Sequence, residues 1–587
     1  MIFYFVLLFG VLAYGIYSSH RKGKVILNTV LVGVTVILIG YSSYMMILIR
    51  ASANTPINEN NPSNSFSLIS YLNREQYGDR PLVYGQYFNA PVTDSKDLET
   101  WIPKNGKYVK GYSKTEYDFD ERFKTIFPRM YSNQPDHVAE YKKWANIQGK
   151  PVSVNTRDGG TETRYVPTFG ENLLFFFRYQ IGHMYVRYFM WNFVGRQDDV
   201  QSHGGVENGN WISGIKPIDS IFLGNQDNLT DEMKNHPSRN TYYFLPLILG
   251  LLGIYYQLMV KKDKRNFWVI FMLFFLTGIA IVVYLNQYPL QPRERDYAYA
   301  GSFYAFTIWI GLGVLAVYEW FRKKLKETPS AISATAICMV VPLIMGVENW
   351  DDHDRSGRYI ARDFAYNYLN SCEPNAILFT NGDNDTFPLW YAQEVEGIRP
   401  DIRIVNLSLL GTDWYIDQMK IKCNQSEPLP ISMNHDQYVM GNRDIVYVVN
   451  RLNEAIELKQ LINFVLSDDP ARKLMIPGEK PIDYLPTNRI KLTVDKAKVL
   501  STATVKQKDA NLIVDSMEWT IKGQYITKSA LAILDIIANN NWERPVYFVS
   551  PFGDGDIGIA DYLQHEGFAY RLVPIKSNSS DYLNVSR

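Results

Sequence analysis

"LNQYPLQPRERDYAYAGSFYAF" (residues 285–306) sets four consecutive charged residues, Arg293, Glu294, Arg295 and Asp296, between strongly apolar runs at 267–285 and 301–321. A helix rising 1.5 Å per residue needs about 20 residues to cross roughly 30 Å of hydrocarbon. Both runs meet that length, so the quoted stretch reads as a loop joining two membrane spans at the bilayer surface. Further apolar segments lie at 1–19, 25–49, 241–260 and 331–348. Together they predict about six transmembrane helices.

Lys and Arg near span ends are retained on the cytoplasmic side. "HRKGK" (20–24), "KKDKR" (261–265) and "FRKKLK" (321–326) share one side when the spans alternate. The amino terminus, residues 50–240, the 286–300 loop and everything after 349 then face away from the cytoplasm. "MIFYFVLLFG" (1–10) has neither the basic flank nor the cleavage site of a signal peptide; it reads like a chain joined midway through a longer membrane protein.

The 587 residues carry 60 basic and 60 acidic side chains. That balance gives no global attraction to nucleic acid, so none is expected as a partner and electrostatic function is local. Three cysteines, Cys338, Cys372 and Cys423, fit neither a disulfide framework nor a zinc spacing, and no metal site is expected. No Walker loop, Gly-x-Ser-x-Gly elbow, HExxH or CxxC pair is present, which removes most soluble hydrolase and cofactor-enzyme classes.

The expected fold is a multi-pass α-helical membrane protein of about six transmembrane helices, with an extramembrane α+β insert and a carboxyl-terminal layered α/β domain. Residues 1–50 form two spans and 51–170 the extracytoplasmic insert, with a hairpin around Asp158-Gly159-Gly160. Residues 171–240 hold an aromatic helix and loop. Gln180, His183 and Arg187 recur there at spacings of three and four, which places the helix at the outer interface rather than across the bilayer. Residues 241–348 form four spans. Residues 349–587 form an extracytoplasmic domain in which helices alternate with short β-rich runs, as in "NAILFT" (375–380), "DIRIVNLSLL" (401–410) and "RPVYFVS" (544–550). "IADYLQHEG" (559–567) reads as one more such helix.

Four stretches carry residues suited to chemistry. Arg293 and Arg295, two planar forks two residues apart, suit a phosphate or pyrophosphate, with Asp296 orienting one of them; the alternative is pairing with Glu294 and Asp296 or with lipid headgroups. "WNFVGRQDDVQSHGG" (191–205) supplies Trp191, Arg196, Gln197, Asp198 and His203, an aromatic platform with carboxylate and amide groups that suits a sugar or acceptor, or else a capped turn. "ENWDDHDRSGRY" (348–359) reads better as a solvated helix start than as a metal site. Asp383, Asn384 and Asp385, leading from a strand into a helix, are either cap residues or part of an acceptor or sugar site at a strand's carboxyl end.

"SYLNREQYGDRPLVYGQYFNAP" (70–91), "YFMWNFVGRQDD" (188–199), "QPRERDYAYAGSF" (291–303), "NWDDHDRSGRY" (349–359) and "TNGDNDTFPLWYAQE" (380–394) resemble the signature stretches of a bacterial multi-pass membrane family related to the protein O-mannosyltransferase-like transmembrane proteins. The resemblance implies a GT-C-type glycosyltransferase. Such an enzyme moves a sugar from a polyprenyl-phosphate donor, a substrate rather than a cofactor, to a secreted-protein or glycan acceptor outside the cytoplasm. It also implies the cytoplasmic (inner) membrane, with the large domains on the periplasmic side. The family's acidic loop near the amino terminus has no counterpart, since residues 1–49 contain no Asp or Glu. The chain therefore resembles the carboxyl-terminal portion of that architecture, its catalytic base is not identifiable, and an amino-terminal partner chain is implied. The alternative is a non-catalytic membrane scaffold or partner subunit in envelope assembly or secretion.

Overall fold

In a computed structural model, residues 2–53, 55–75, 78, 80–104, 107–155, 160–475, 481–550 and 557–576 are described. The chain forms two compact units, one of Asp79–Lys96 and Thr115–Ser356, the other of Met1–Gly78, Asp97–Lys114 and Gly357–Arg587.

Among the described residues, four helices are long and apolar enough to cross a membrane: Val25–Ser52, Lys264–Leu285, Asp296–Arg322 and Glu327–Glu348. Six were expected. Residues 2–19 of the run at 1–19 lie within the helix Ile2–Arg21. The run at 241–260 yields only an eleven-residue α-helical part, Leu245–Tyr255, and a five-residue π-wound part, Tyr256–Val260. The shortening has a cause outside the segment. Asn240 and Thr241 pair as a strand with Gly195–Arg196, and Phe244 takes a left-handed conformation at the N-cap of a helix that has Pro246 in its first turn. On Val25–Ser52, Ile26, Val36 and Ile37 stay mostly exposed, as suits lipid contact.

In the first unit, Leu245–Tyr255 and Ala300–Arg322 approach through glycines. A Cβ at Gly253 would lie 1.8 Å from the Trp309 carbonyl oxygen, and one at Gly313 would lie 2.1 Å from that of Leu249. Both obstacles are backbone, so neither can yield by a rotamer change. Gly253→Val is therefore expected to cost at least about 3 kcal/mol, the upper end of overpacking, read as loss of monodisperse protein in detergent extracts. The aromatic helix runs through Phe169–Phe175, Phe176–Val186 and Arg187–Phe193, opened by a Thr168–Glu171 capping box. Its middle part is π-wound, and i→i+5 winding lets Phe175, Tyr179 and His183 stack in turn at centroid distances of 5.1 and 5.6 Å. Its buried face shares one core with Tyr299, Phe303, Phe306 and Trp309. The insert's Lys150–Asn155 and Thr161–Val166 pair antiparallel, as the hairpin reading requires, and Asp158 and Gly159 lie outside the described residues.

The second unit carries a five-stranded sheet in the order Arg403–Asn406, Ile377–Thr380, Val546–Phe548, Ala569–Leu572, Leu563–Glu566. The first three strands are parallel and the last two antiparallel. Alternation sets the layers. Ile377, Phe379 and Val405 pack toward Lys528–Asn540, while Leu378, Ile404 and Tyr547 pack with Ala365, Leu369 and Leu389 of Ile360–Ser371 and Asp383–Glu394. The layered α/β reading is met, with one correction: "IADYLQHEG" supplies a strand, not a helix. Gly567, at φ +61°, turns that strand back where a Cβ would come within 2.3 Å of Ser371 Oγ, and a hairpin captures the segment's apolar positions.

Candidate functional site

The loop after Leu285 is pinned before its charges begin. The Asn286 amide donates to the Pro81 and Pro128 carbonyls at 2.8 and 2.9 Å, and Gln180 donates to Asn286 Oδ1 and to the Gln287 carbonyl. Arg80 and Arg129 donate to the Leu285 and Val283 carbonyls, placing cations at the negative end of the helix Ile279–Leu285.

Glu294 is the centre of the arrangement. Arg187 grips it with two bonds of 2.7 and 3.1 Å, the Ser202 amide donates at 2.8 Å, and the Tyr188 hydroxyl donates to it. Arg187 is only 5 % exposed and its carboxylate partner 14 %; it also donates to the His183 and Gly209 carbonyls. Burial pushes the Glu294 carboxyl up, but the hydrogen bonds and charge of Arg187, with those from Ser202 and Tyr188, outweigh it and hold the pKa below the ordinary value. Burial and the Arg187 charge drive His183 down to about 3, so its imidazole is neutral. Neighbouring charges do not pair as the sequence alternatives supposed: Glu294 is taken by a residue 107 positions away.

Beside this network is a cleft whose lining includes Glu140, Trp144, Tyr179, His203, Arg293 and Glu294. Arg293 is exposed and makes no ion pair with any described residue. Arg295 bends away: Nη1 donates to Tyr297 at 2.7 Å, its backbone amide donates to Tyr188, and its buried Nε has no hydrogen-bond partner among the described residues. Asp296 opens the short 3-10 turn Asp296–Tyr299 instead of pairing with a neighbouring guanidinium. Glu140, on Pro135–Ala145, accepts from the Trp144 indole N–H at 3.1 Å and from Lys143 at 3.4 Å. The Trp144 ring is fixed by His183 at 5.2 Å and Tyr179 at 5.3 Å, and by Gly204, where a Cβ would come within 2.3 Å of the indole.

The other predicted residues have different occupations. The Trp191 ring is 5 % exposed and is packed by the Arg187 and Arg196 guanidiniums, so it offers little surface to a sugar. Gln197 donates to the Val206 and Glu207 carbonyls and accepts from Asn210. Asp198 accepts the Val200 and Gly209 amides, although burial raises its pKa. These residues fold the loop, and His203 alone of that group lines the cleft. In the other unit, the Asp385 carboxylate accepts the Asn381 and Gly382 amides at 2.8 and 2.9 Å, a capping arrangement; Asp383 and Asn384 beside it are exposed. Glu140 escaped sequence reasoning because a glutamate next to Lys142 and Lys143 reads as a solvated helix face. Its one clue was the i,i+4 spacing to Trp144.

A family model described as TMEM260-associated domain 2 matches residues 361–587, and a family of unknown function (DUF8416) matches residues 78–177. Curated relatives include a protein O-mannosyl-transferase tmem260 from Dictyostelium discoideum, 24% identical over 29% of this chain, and the Mus musculus protein O-mannosyl-transferase TMEM260, 31% identical over 12%. The alignments span 23% and 10% of those relatives' own lengths. No solved structure matches the chain.

Proposed function

We propose that the chain is a membrane glycosyltransferase-like protein that transfers a sugar from a polyprenyl-phosphate donor to a protein or glycan acceptor on the periplasmic side of the inner membrane. On this reading Ile2–Arg21 and Leu245–Val260 join the four long helices to make six spans. The insert and the carboxyl-terminal domain share the outer side. The observation that carries the reading is Arg293, without an ion pair among the described residues, on the same cleft as a carboxylate held by an indole. The similarity to O-mannosyl-transferases supports it at family level.

In the reaction, the acceptor hydroxyl loses its proton to Glu140 and its oxygen bonds to the sugar's anomeric carbon. The bond from that carbon to the donor phosphate oxygen breaks, and the phosphate leaves with the electron pair. Arg293 stabilises the charge that grows on it. Glu294 is already saturated by four donors, so it holds the loop and takes no proton.

The test is transfer from polyprenyl-phosphate-linked sugars to secreted-protein acceptors in membranes holding the full chain. Glu140→Gln preserves the indole bond but not basicity, and is expected to lower kcat about 100-fold or more with KM for the donor little changed. Transfer as fast as wild type would remove Glu140 from this role. Absence of transfer by the wild type, with any amino-terminal partner chain supplied, would favour the scaffold reading.

A further inference from the structure

In the unit that contains the carboxyl-terminal domain, a second pocket lies between the segment Pro56–Glu59 and the edge strand Arg403–Asn406. We infer that it is a binding site for a neutral, hydroxyl-rich ligand, a short oligosaccharide.

Three features select the ligand. Trp390 and Trp414 both line the cavity and are partly exposed while packed on the core, which makes them fixed indole surfaces for the C–H faces of sugar rings. Arg403, 5 % exposed, donates through Nη2 to the Gln418 carbonyl, but its Nη1 has no hydrogen-bond partner among the described residues. A buried donor without an acceptor is costly, and a ligand oxygen would relieve it. Acceptors are present too: Glu394, which takes a 2.7 Å bond from Asn424, and Glu59. An anion here would face two carboxylates, and a cation would face Arg403. A hydroxyl both donates and accepts, so a neutral sugar meets both signs. The wall at Pro56–Glu59 is tied down by Gln418, whose amide donates to the Asn58 carbonyl at 2.5 Å.

The site is independent of the transfer chemistry proposed above. Calorimetric titration of the detergent-solubilised full chain with mannobiose, cellobiose and diacetylchitobiose should show saturable binding of at least one, and digalacturonic acid should bind more weakly. Trp414→Ala is expected to weaken binding about tenfold. Glu394→Gln, at an exposed position where folding is not at risk, should weaken it several-fold. Arg293→Ala should leave it unchanged, which separates this site from the cleft. The inference is overturned if no neutral disaccharide saturates, if the uronic acid binds more tightly, if both folded site variants bind like wild type, or if Arg293→Ala abolishes binding.

Discussion

Arg293→Ala is expected to reduce sugar transfer at least about 100-fold while leaving the thermal unfolding midpoint within experimental error. The two halves of this expectation share a cause. Arg293 is exposed and makes no ion pair with any described residue, so its removal strands no buried partner. Its guanidinium is instead available to a phosphate at a surface where the effective dielectric is lower than in water. Arg293→Lys should recover only part of the rate, because an ammonium keeps the charge but not the two-pronged geometry. Arg295→Ala should have a smaller effect on transfer, since that fork is already committed to Tyr297. Equal rates for wild type and Arg293→Ala, with both folded, would remove the donor-phosphate assignment.

Arg187→Ala is expected to destabilise the unit by about 3–5 kcal/mol, the cost of stripping one partner from a buried ion pair. It would strand Glu294 and withdraw the donor from the His183 and Gly209 carbonyls. The pH dependence has a definite sign. Glu294 has a depressed folded pKa, so its stabilisation is present above its ordinary value and is lost as the pH falls through the folded one. His183, held down to about 3, is charged in the unfolded chain below about pH 6.5 while still neutral in the folded one. Both groups therefore penalise the folded state in acid, and the unfolding midpoint should fall steadily from about pH 6.5 downward. His183→Phe is expected to flatten the upper part of that slope. A slope unchanged in His183→Phe would assign the acid response elsewhere.

The reading from residues alone reached far in some places. The apolar runs are helices because bilayer-length hydrophobicity is written locally, one residue after another. The strands at 377–380, 403–406 and 546–548 were equally visible as short apolar bursts between amphipathic helices. It failed at 559–567, where an alternating apolar pattern too short to separate helix from strand was settled by the hairpin that closes the sheet edge. It also failed to see that 241–244 leaves the helix, because strand pairing of Asn240–Thr241 with Gly195–Arg196 is not a local property.

At the candidate site, sequence by itself determined that Arg293, Glu294, Arg295 and Asp296 sit between two apolar helices, because composition and length alone set where a bilayer-spanning run begins and ends. Which of those charges is free was decided by tertiary structure. Arg187 and Tyr188, more than a hundred positions away, take up Glu294, and Pro135–Ala145 brings Glu140 to the cleft. Hydrogen bonds and ion pairs act over a few ångströms of space whatever the separation along the chain, so the partner of a buried charge emerges only when the chain has folded.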